Sequence, residues 1–202
     1  MLSLRPVSPS EIPELASLAS EIWHEYLPCI LSEGQIDYMV DRFQSEQAMR
    51  EQVSEKGYRY HFLVDDGSIV GYTGLVPEGD RLFLSKLYLR EECRGKGLGS
   101  QALKLIFELC QREGFGSVYL TVNRNNSVAI RAYERNGFVT VRTQVADIGN
   151  GYVMDDFVME KRFRSRIRYR SILSSRPFPY RRFLLSGLQT IIFRFNSTKC
   201  GR

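Results

Sequence analysis

The sequence is poor in the residues that usually bind transition metals. It has two histidines and four cysteines in 202 residues. The cysteines show no Cys-x-x-Cys spacing, and His24 and His61 lie far apart. Zinc sites usually draw their ligands from closely spaced pairs of such residues. We therefore expect no metal site.

Long hydrophobic segments are also missing. No run of 18 apolar residues is present, so we expect no transmembrane segment. The first residues lack the basic and apolar regions of a signal peptide. We therefore expect a cytoplasmic protein.

Acidic residues are absent after Glu160, which divides the chain by charge. Residues 1–161 contain 17 Lys/Arg and 23 Asp/Glu, a net charge of −6. Residues 162–202 contain ten Arg and one Lys, a net charge of +11. We expect a folded domain over 1–161 and a basic, partly disordered C-terminal extension over 162–202. Its charge predicts contact with a polyanion, a membrane surface or the acidic domain itself.

The spacing of apolar residues predicts an α/β protein (an α+β mixed sheet) in the order β-α-α-β-β-β-α-β-α-β-β. The predicted strands are Leu2–Val7, Tyr60–Val64, Ile69–Val76, Arg81–Leu89, Ser117–Val122, Phe138–Ala146 and Tyr152–Glu160. The predicted helical regions are Ile12–Tyr26, Ser32–Gln44, Ser45–Lys56, Leu98–Cys110 and Ser127–Asn136.

A glycine-rich loop between the fourth strand and its helix is the most informative motif. It reads Arg94-Gly95-Lys96-Gly97-Leu98-Gly99, followed by Ser100. Free N–H groups and the helix dipole favour anions at a helix N-terminus, and glycines admit phosphate oxygens close to the backbone. A second segment, Asn126 to Tyr133, follows some thirty residues later. Together the two segments indicate a coenzyme A-type ligand and acyl transfer.

Two better-known glycine loops fit less well. No Gly-Lys-Ser/Thr closes a P-loop frame. The letters from Gly97 to Ala102 match a dinucleotide fingerprint, but charged residues separate them from the preceding strand. The next strand is followed by Asn123 rather than by an acid. Dinucleotide binding is therefore disfavoured.

These residues resemble the GCN5-related N-acetyltransferase (GNAT) family. Its acetyl-CoA signature is a strand followed by Arg/Gln-x-x-Gly-x-Gly/Ala, which is matched by Leu87 to Leu89 and Arg94 to Gly99. Its second signature is matched by Asn126, Tyr133 and Gly137-Phe138. The resemblance spans about residues 1–161 and implies a GNAT-like acyl-CoA N-acyltransferase fold.

The resemblance also implies roles for particular residues. Tyr133 matches the general acid that protonates the leaving thiolate. The residues expected to bind acetyl-CoA are Leu87, Tyr88, Leu89, Arg94, Gly95, Lys96, Gly97, Leu98, Gly99, Ser100, Asn126 and Tyr133. Asn126 has a second predicted role as the cap of its helix. Many polyamine-type relatives carry a glutamate base on the strand before the loop, where this chain has Ser85 and Lys86. Lys86 is expected to repel a cationic amine. The sequence does not choose between deprotonation through ordered water and a carboxylate base such as Glu25, Glu33, Asp155 or Asp156.

Three functions are left open. The first is an acetyl-CoA-dependent N-acetyltransferase acting on a small primary amine, such as a polyamine or an amino-acid derivative. The second acetylates a protein N-terminus or lysine, which would require an open acceptor groove. The third is a non-catalytic coenzyme A-binding or interaction module. A homodimer is compatible with each of them.

Overall fold

The computed structural model describes residues 1–163 and contains a seven-stranded mixed sheet in the order β1-β2-β3-β4-β5-β7-β6. The strands are β1 (Ser3–Pro6), β2 (Arg59–Asp65), β3 (Ser68–Glu78), β4 (Arg81–Leu89), β5 (Ser117–Asn123), β6 (Val139–Gly149) and β7 (Tyr152–Arg162). The helices are α1 (Ile12–Tyr26), α2 (Glu33–Gln44), α3 (Glu46–Glu55), α4 (Leu98–Glu113) and α5 (Ser127–Arg135). The predicted mixed α/β architecture is therefore confirmed.

Three helices precede β2, in agreement with the three predicted helical regions, although the predicted order counts only two. A helix N-cap begins each of the two helices in the stretch from Ser32 to Lys56. The hydroxyl of Ser32 accepts a hydrogen bond from the Gln35 N–H, and the hydroxyl of Ser45 accepts one from the Ala48 N–H, each at 3.3 Å. Serine at an N-cap satisfies an otherwise free backbone donor. The chain thus starts a new helix at Ser45.

The helices cover both faces of the sheet. One face packs against α1, α2 and α3, and its fully buried members include Trp23, Phe62, Tyr72 and Tyr88. The other face packs against α4 and α5, with Leu103, Ile106, Leu120 and Tyr133 among the fully buried side chains. Because successive strand residues point to opposite faces, β4 contributes Tyr88 to the first core and Leu87 and Leu89 to the second.

Neighbouring strands are antiparallel except β4 and β5, whose parallel ladder is short. It joins Arg81–Phe83 to Ser117–Tyr119 and ends there. On its other side β4 pairs with β3 over nearly its whole length, up to Leu89. At Gly71 a Cβ would lie 2.1 Å from the Tyr88 carbonyl oxygen, so only glycine permits this approach. The second half of β4 is therefore held by β3 alone and diverges from β5.

The basic extension begins at the end of β7. Arg162 is the last residue of that strand, and the Phe163 N–H donates to the Gly116 carbonyl at 2.9 Å. Residues 164–202, most of the predicted extension, lie outside the described residues. No helix in 1–163 is long and apolar enough to cross a membrane.

Candidate active site

The glycine-rich loop leads directly into α4. A short 3-10 turn, Glu91–Cys93, follows β4, and Gly97 then caps the helix with a φ of 77°. Such a φ strains any residue with a Cβ, and a Cβ on Gly97 would point into open space. The first N–H groups of a helix lack intrahelical acceptors. The predicted residues Leu98, Gly99 and Ser100 supply these groups, and the open space beside Gly97 suits a phosphate.

Arg94 was expected to bind the coenzyme, but in the structure its side chain contacts other parts of the protein. Its side chain is only 5% exposed and forms an ion pair with Glu25 at 2.6 Å. Its Nε donates to the Leu89 carbonyl at 2.9 Å, and its guanidinium lies 4.9 Å from the Tyr26 ring centroid. Arg94 thus fixes the loop to β4 and α1. Lys96 is exposed, so its ammonium group is accessible to an anion in solution.

The divergence of β4 and β5 opens a gap that ends beside the loop. The Arg90 N–H donates to the Val70 carbonyl on β3 at 2.9 Å. Since backbone groups alternate between the two sides of a strand, those of Tyr88 also face β3, and those of Leu87 and Leu89 face the gap. The three predicted residues of β4 therefore differ in orientation. Leu87 and Leu89 present backbone groups to the gap, whereas Tyr88 presents its side chain to the face covered by α1 and α2.

Asn126 lies just beyond the end of β5 and caps α5. Its Oδ1 accepts a hydrogen bond from the Ala129 N–H at 3.1 Å and another from the Tyr26 hydroxyl at 3.5 Å. The cap connects the start of α5 to the end of α1. Of the two roles considered for Asn126, the structure accounts for helix capping.

Tyr133 is fully buried at the gap. Its ring packs edge-on against Phe138 at a centroid distance of 5.4 Å. Burial raises the pKa of its phenol well above the usual value, and the neighbouring Tyr88 and Tyr26 raise it further. Tyr133 belongs to the α4–α5 core, whereas Tyr88 and Tyr26 belong to the opposite core. Its phenol is therefore close enough to Tyr88 and Tyr26 to be influenced by them, and it stays protonated at neutral pH.

The helix α2 packs onto the β6–β7 hairpin. The Tyr38 hydroxyl donates to the Ile148 carbonyl at 2.6 Å, and Gln35 Nε2 contacts Met154 Sδ at 3.7 Å. A Cβ on Gly149 would lie 2.5 Å from the Tyr38 hydroxyl oxygen, so glycine permits this contact. The end of the hairpin is therefore held against α2, on the face of the sheet that also contains Tyr88.

The four carboxylates considered as bases occupy different environments. Glu25 pairs with Arg94, Asp155 pairs with Arg124 at 3.1 Å, and Glu33 is exposed at the start of α2. Asp156 is 1% exposed, and burial together with the charge of Asp155 raises its pKa to about 7. Asp156 is thus the one of the four that is buried.

Lys86 does not present a charge to the acceptor side, contrary to the expectation from sequence. It is 1% exposed, and its Nζ donates to Gln52 Oε1 at 2.7 Å and contacts the Tyr60 hydroxyl. Burial lowers its pKa well below the usual value for a lysine, with Lys56 lowering it further. The side chain is therefore an internal polar contact between β4 and α3 and does not repel a cationic acceptor.

Among residues 1–163 no group of three His, Cys, Asp or Glu side chains could hold a metal ion. This part of the chain instead offers a glycine-rich loop with open space beside Gly97, a gap faced by the backbone of Leu87 and Leu89, and the buried Tyr133 phenol. Residues 17–138 match the family model of the acetyltransferase (GNAT) family. The chain belongs to this family.

Similarity to individual GNAT proteins extends over most of the chain. A spermidine N(1)-acetyltransferase of Thermoplasma acidophilum is 27% identical over 168 residues, which are 81% of this chain and 99% of that protein. The crystal structure of PaiA N-acetyltransferase from Thermoplasma acidophilum in complex with coenzyme A superposes with a TM-score of 0.65 and 25% identity. It matches 81% of this chain and 99% of its own.

A more distant neighbour acts on a different class of acceptor. The ribosomal-protein-S18-alanine N-acetyltransferase of Escherichia coli has a TM-score of 0.62 at 16% identity, matching 85% of this chain and 100% of its own. At this identity the likeness shows the fold alone. The chain is thus an acetyl-CoA-dependent N-acetyltransferase of the GNAT family, and acetyl-CoA is its co-substrate. The GNAT fold alone does not identify the acceptor.

Proposed function

We propose that this protein transfers the acetyl group of acetyl-CoA to a primary amine of a small cationic molecule of the polyamine type. The observation that carries the proposal is the packing of α2 onto the β6–β7 hairpin, and we infer that these elements together cover the acceptor side. The contact between Tyr38 and Ile148 and the approach of Tyr38 to Gly149 leave α2 lying on the β6–β7 hairpin. A site covered in this way suits a slender amine better than a folded protein substrate.

Charge supports the same acceptor. Residues 1–161 carry a net charge of −6, and α2 itself contains Glu33, Asp37 and Asp41. An acidic surface raises the local concentration of a polycation and steers it to the site. Lys86, the lysine closest along the chain to the gap-facing residues of β4, is buried with a lowered pKa and does not oppose this. The similarity to a spermidine N(1)-acetyltransferase over 81% of the chain is consistent with the proposal.

In the proposed mechanism the pyrophosphate of acetyl-CoA binds at the N-terminus of α4, against the backbone of Gly97 to Ser100, with Lys96 as counter-charge. The backbone groups of Leu87 and Leu89 bind the pantetheine arm in the gap, and one N–H polarises the thioester carbonyl. Preorganised donors of this kind are usually a large catalytic contribution. The arrangement leaves the thioester beside Tyr133.

Tyr133 is proposed as the general acid. The leaving thiolate has a pKa of about 8.5, so a phenol that stays protonated at neutral pH can donate to it when the C–S bond breaks. Burial beside Tyr88 and Tyr26 keeps the Tyr133 phenol in that form. The acid is therefore ready before the acceptor arrives.

The test is a comparison of acceptors with acetyl-CoA, followed by release of the coenzyme thiol. Spermidine and spermine represent the polyamines, and peptides with a free N-terminal alanine or an internal lysine represent proteins. We expect turnover with the polyamines at kcat/KM values at least tenfold above those of the peptides. A preference for either peptide would transfer the function to protein acetylation.

A further inference from the structure

Asp156 lies at the end of the sheet where the gap between β4 and β5 is open. In the ladder of β5 and β7 it is paired with Asn123, the last residue of β5. Because β4 and β5 are parallel, that end also holds Leu89 and the glycine-rich loop. Strand alternation puts Asp156 on the same face of the sheet as Met154, which packs in the core beneath α1 and α2. Asp156 thus faces the acceptor side.

The carboxyl group of Asp156 is buried without a cation. It is 1% exposed, and within residues 1–163 its Oδ1 has no hydrogen-bond donor. A buried carboxylate without such compensation is costly to a fold. The neighbouring charge that raises the pKa of Asp156 is that of Asp155 on the same strand, and Asp155 forms an ion pair with Arg124. On β4, the charge of Asp156 helps to raise the pKa of the Tyr88 phenol. One carboxylate oxygen of Asp156, on the side where the amine substrate would bind, therefore has no hydrogen-bond donor among residues 1–163.

Other carboxylates of the domain are engaged. Glu25 is paired with Arg94, and Glu78 accepts a hydrogen bond from the Tyr119 hydroxyl. Glu160, further along β7, accepts from Ser117 at 2.7 Å. Each of these has a partner to hold its charge, whereas Oδ1 of Asp156 has none among the described residues. A donor on a bound ligand would therefore find at Asp156 a buried acceptor atom that is unpartnered within residues 1–163.

We propose that Asp156 binds the attacking ammonium group of the acceptor and removes its proton. The inference rests on the proposed function, because it requires an amine acceptor. The Asp156 carboxylate takes one proton, and the nitrogen lone pair then forms the C–N bond to the thioester carbonyl carbon. Collapse breaks the C–S bond, and the sulfur takes a proton from Tyr133. The second proton lost by nitrogen restores the Tyr133 phenol, and Asp156 releases its proton to solvent.

The environment of Asp156 suits this role. A general base works best when its pKa lies near the working pH. Burial and the neighbouring charge of Asp155 raise the pKa of Asp156 to about 7, far above that of an ordinary aspartate. Binding an ammonium beside it would also restore the charge compensation that the buried group lacks. A carboxylate on β7 would thereby replace the base that polyamine-type relatives place before the loop.

The experiment measures kcat/KM against pH for full-length wild type and two variants, with spermidine as acceptor. In the wild type we expect an acid limb near pH 7. Asp156→Asn should lower kcat by about 10² to 10⁴-fold and remove that limb, because no titrating base remains. Asp155→Asn should retain the limb and move it to lower pH, because the pKa of Asp156 falls when the neighbouring negative charge is removed.

Asp80→Asn is the matched control. Asp80 is exposed in the turn between β3 and β4, at the opposite end of the strands, and its variant should follow the wild-type profile. Acetyl-CoA affinity by calorimetry and the thermal midpoint should be close to wild type for Asp156→Asn. These two measurements distinguish loss of the base from loss of the fold.

Two results would overturn the assignment in different ways. If the wild type acetylates spermidine and Asp156→Asn keeps both its rate and its acid limb, Asp156 is not the base and the proposed function stands. If the wild type acetylates none of the polyamines while it binds acetyl-CoA, the proposed acceptor is wrong and the role of Asp156 is wrong with it. An acid limb that does not move in Asp155→Asn would also contradict the assignment to Asp156.

Discussion

Replacing Lys86 by methionine should change how the stability of the protein depends on pH. The Lys86 Nζ is buried between β4 and α3, 2.7 Å from Gln52 Oε1 and 3.4 Å from the Phe43 carbonyl oxygen. Burial lowers its pKa in the folded state well below the usual value. In the unfolded chain a lysine has a pKa of about 10.4. The folded protein therefore binds fewer protons than the unfolded chain between these two pKa values.

The sign and size of the effect follow from proton linkage. The free energy of unfolding rises with pH wherever the unfolded state binds more protons, by about 1.4 kcal/mol for each pH unit and each proton. Lys86 should therefore make the wild type more stable as the pH rises within that window. In Lys86→Met this contribution is absent. Methionine has a similar length, and Tyr60 and Gln52 remain bonded to each other, so the variant should still fold.

The measurement is urea unfolding of wild type and Lys86→Met at pH 7, 8 and 9. The difference in unfolding free energy should shift in favour of the wild type by about 1.4 kcal/mol per pH unit while the window lasts. Lys104→Met, at an exposed position on α4, is the control and should follow the wild-type pH dependence. Parallel curves for wild type and Lys86→Met would refute the argument, since Lys86 would then hold its proton in the folded state.

Further predictions concern the coenzyme site and the extension. Gly97→Glu should abolish acetyl-CoA binding in calorimetry, because it adds a side chain and negative charge where the phosphates are proposed to lie; retained affinity would exclude that location. Tyr133→Phe should keep coenzyme affinity and lower kcat by about 10² to 10⁴-fold, and an unchanged kcat would reduce Tyr133 to a core residue. Removing residues 164–202 should leave a folded protein that still binds acetyl-CoA and has lost its salt-sensitive retention on heparin. A truncated protein that melts far below full length would mean that the extension belongs to the core.

Much of the fold follows from local patterns in the sequence. The strand β4 begins and ends where its apolar pattern predicts, at Arg81 and Leu89, and the turn at Asp66 and Gly67 lies between the second and third predicted strands. Asn126 was predicted as a helix cap and is one. These features depend on residues adjacent in the chain, such as glycines that accept a positive φ and side chains that cap a helix. Local chemistry is sufficient to predict them.

The candidate site was less predictable because it depends on contacts between distant segments. The lowered pKa of Lys86 results mainly from burial, and the residues that contact its Nζ, Gln52 and Tyr60, belong to α3 and β2. Asp156 could be separated from Asp155 only when the register of β5 and β7 showed which of the two is buried. Neither fact has a signal in the sequence around it. Burial of a polar side chain within a strand is decided by what packs over it.

The short ladder between β4 and β5 has a consequence for amide hydrogen exchange. Alternate N–H groups in the second half of β4 differ in protection, since that of Tyr88 faces β3 and those of Leu87 and Leu89 face the gap. Exchange at the gap-facing amides should therefore be fast in the free protein, and bound acetyl-CoA should slow it. The slowing would recur at every second residue, as though a strand had been added to the sheet. The co-substrate would then act as a removable structural element that joins the two halves of the sheet.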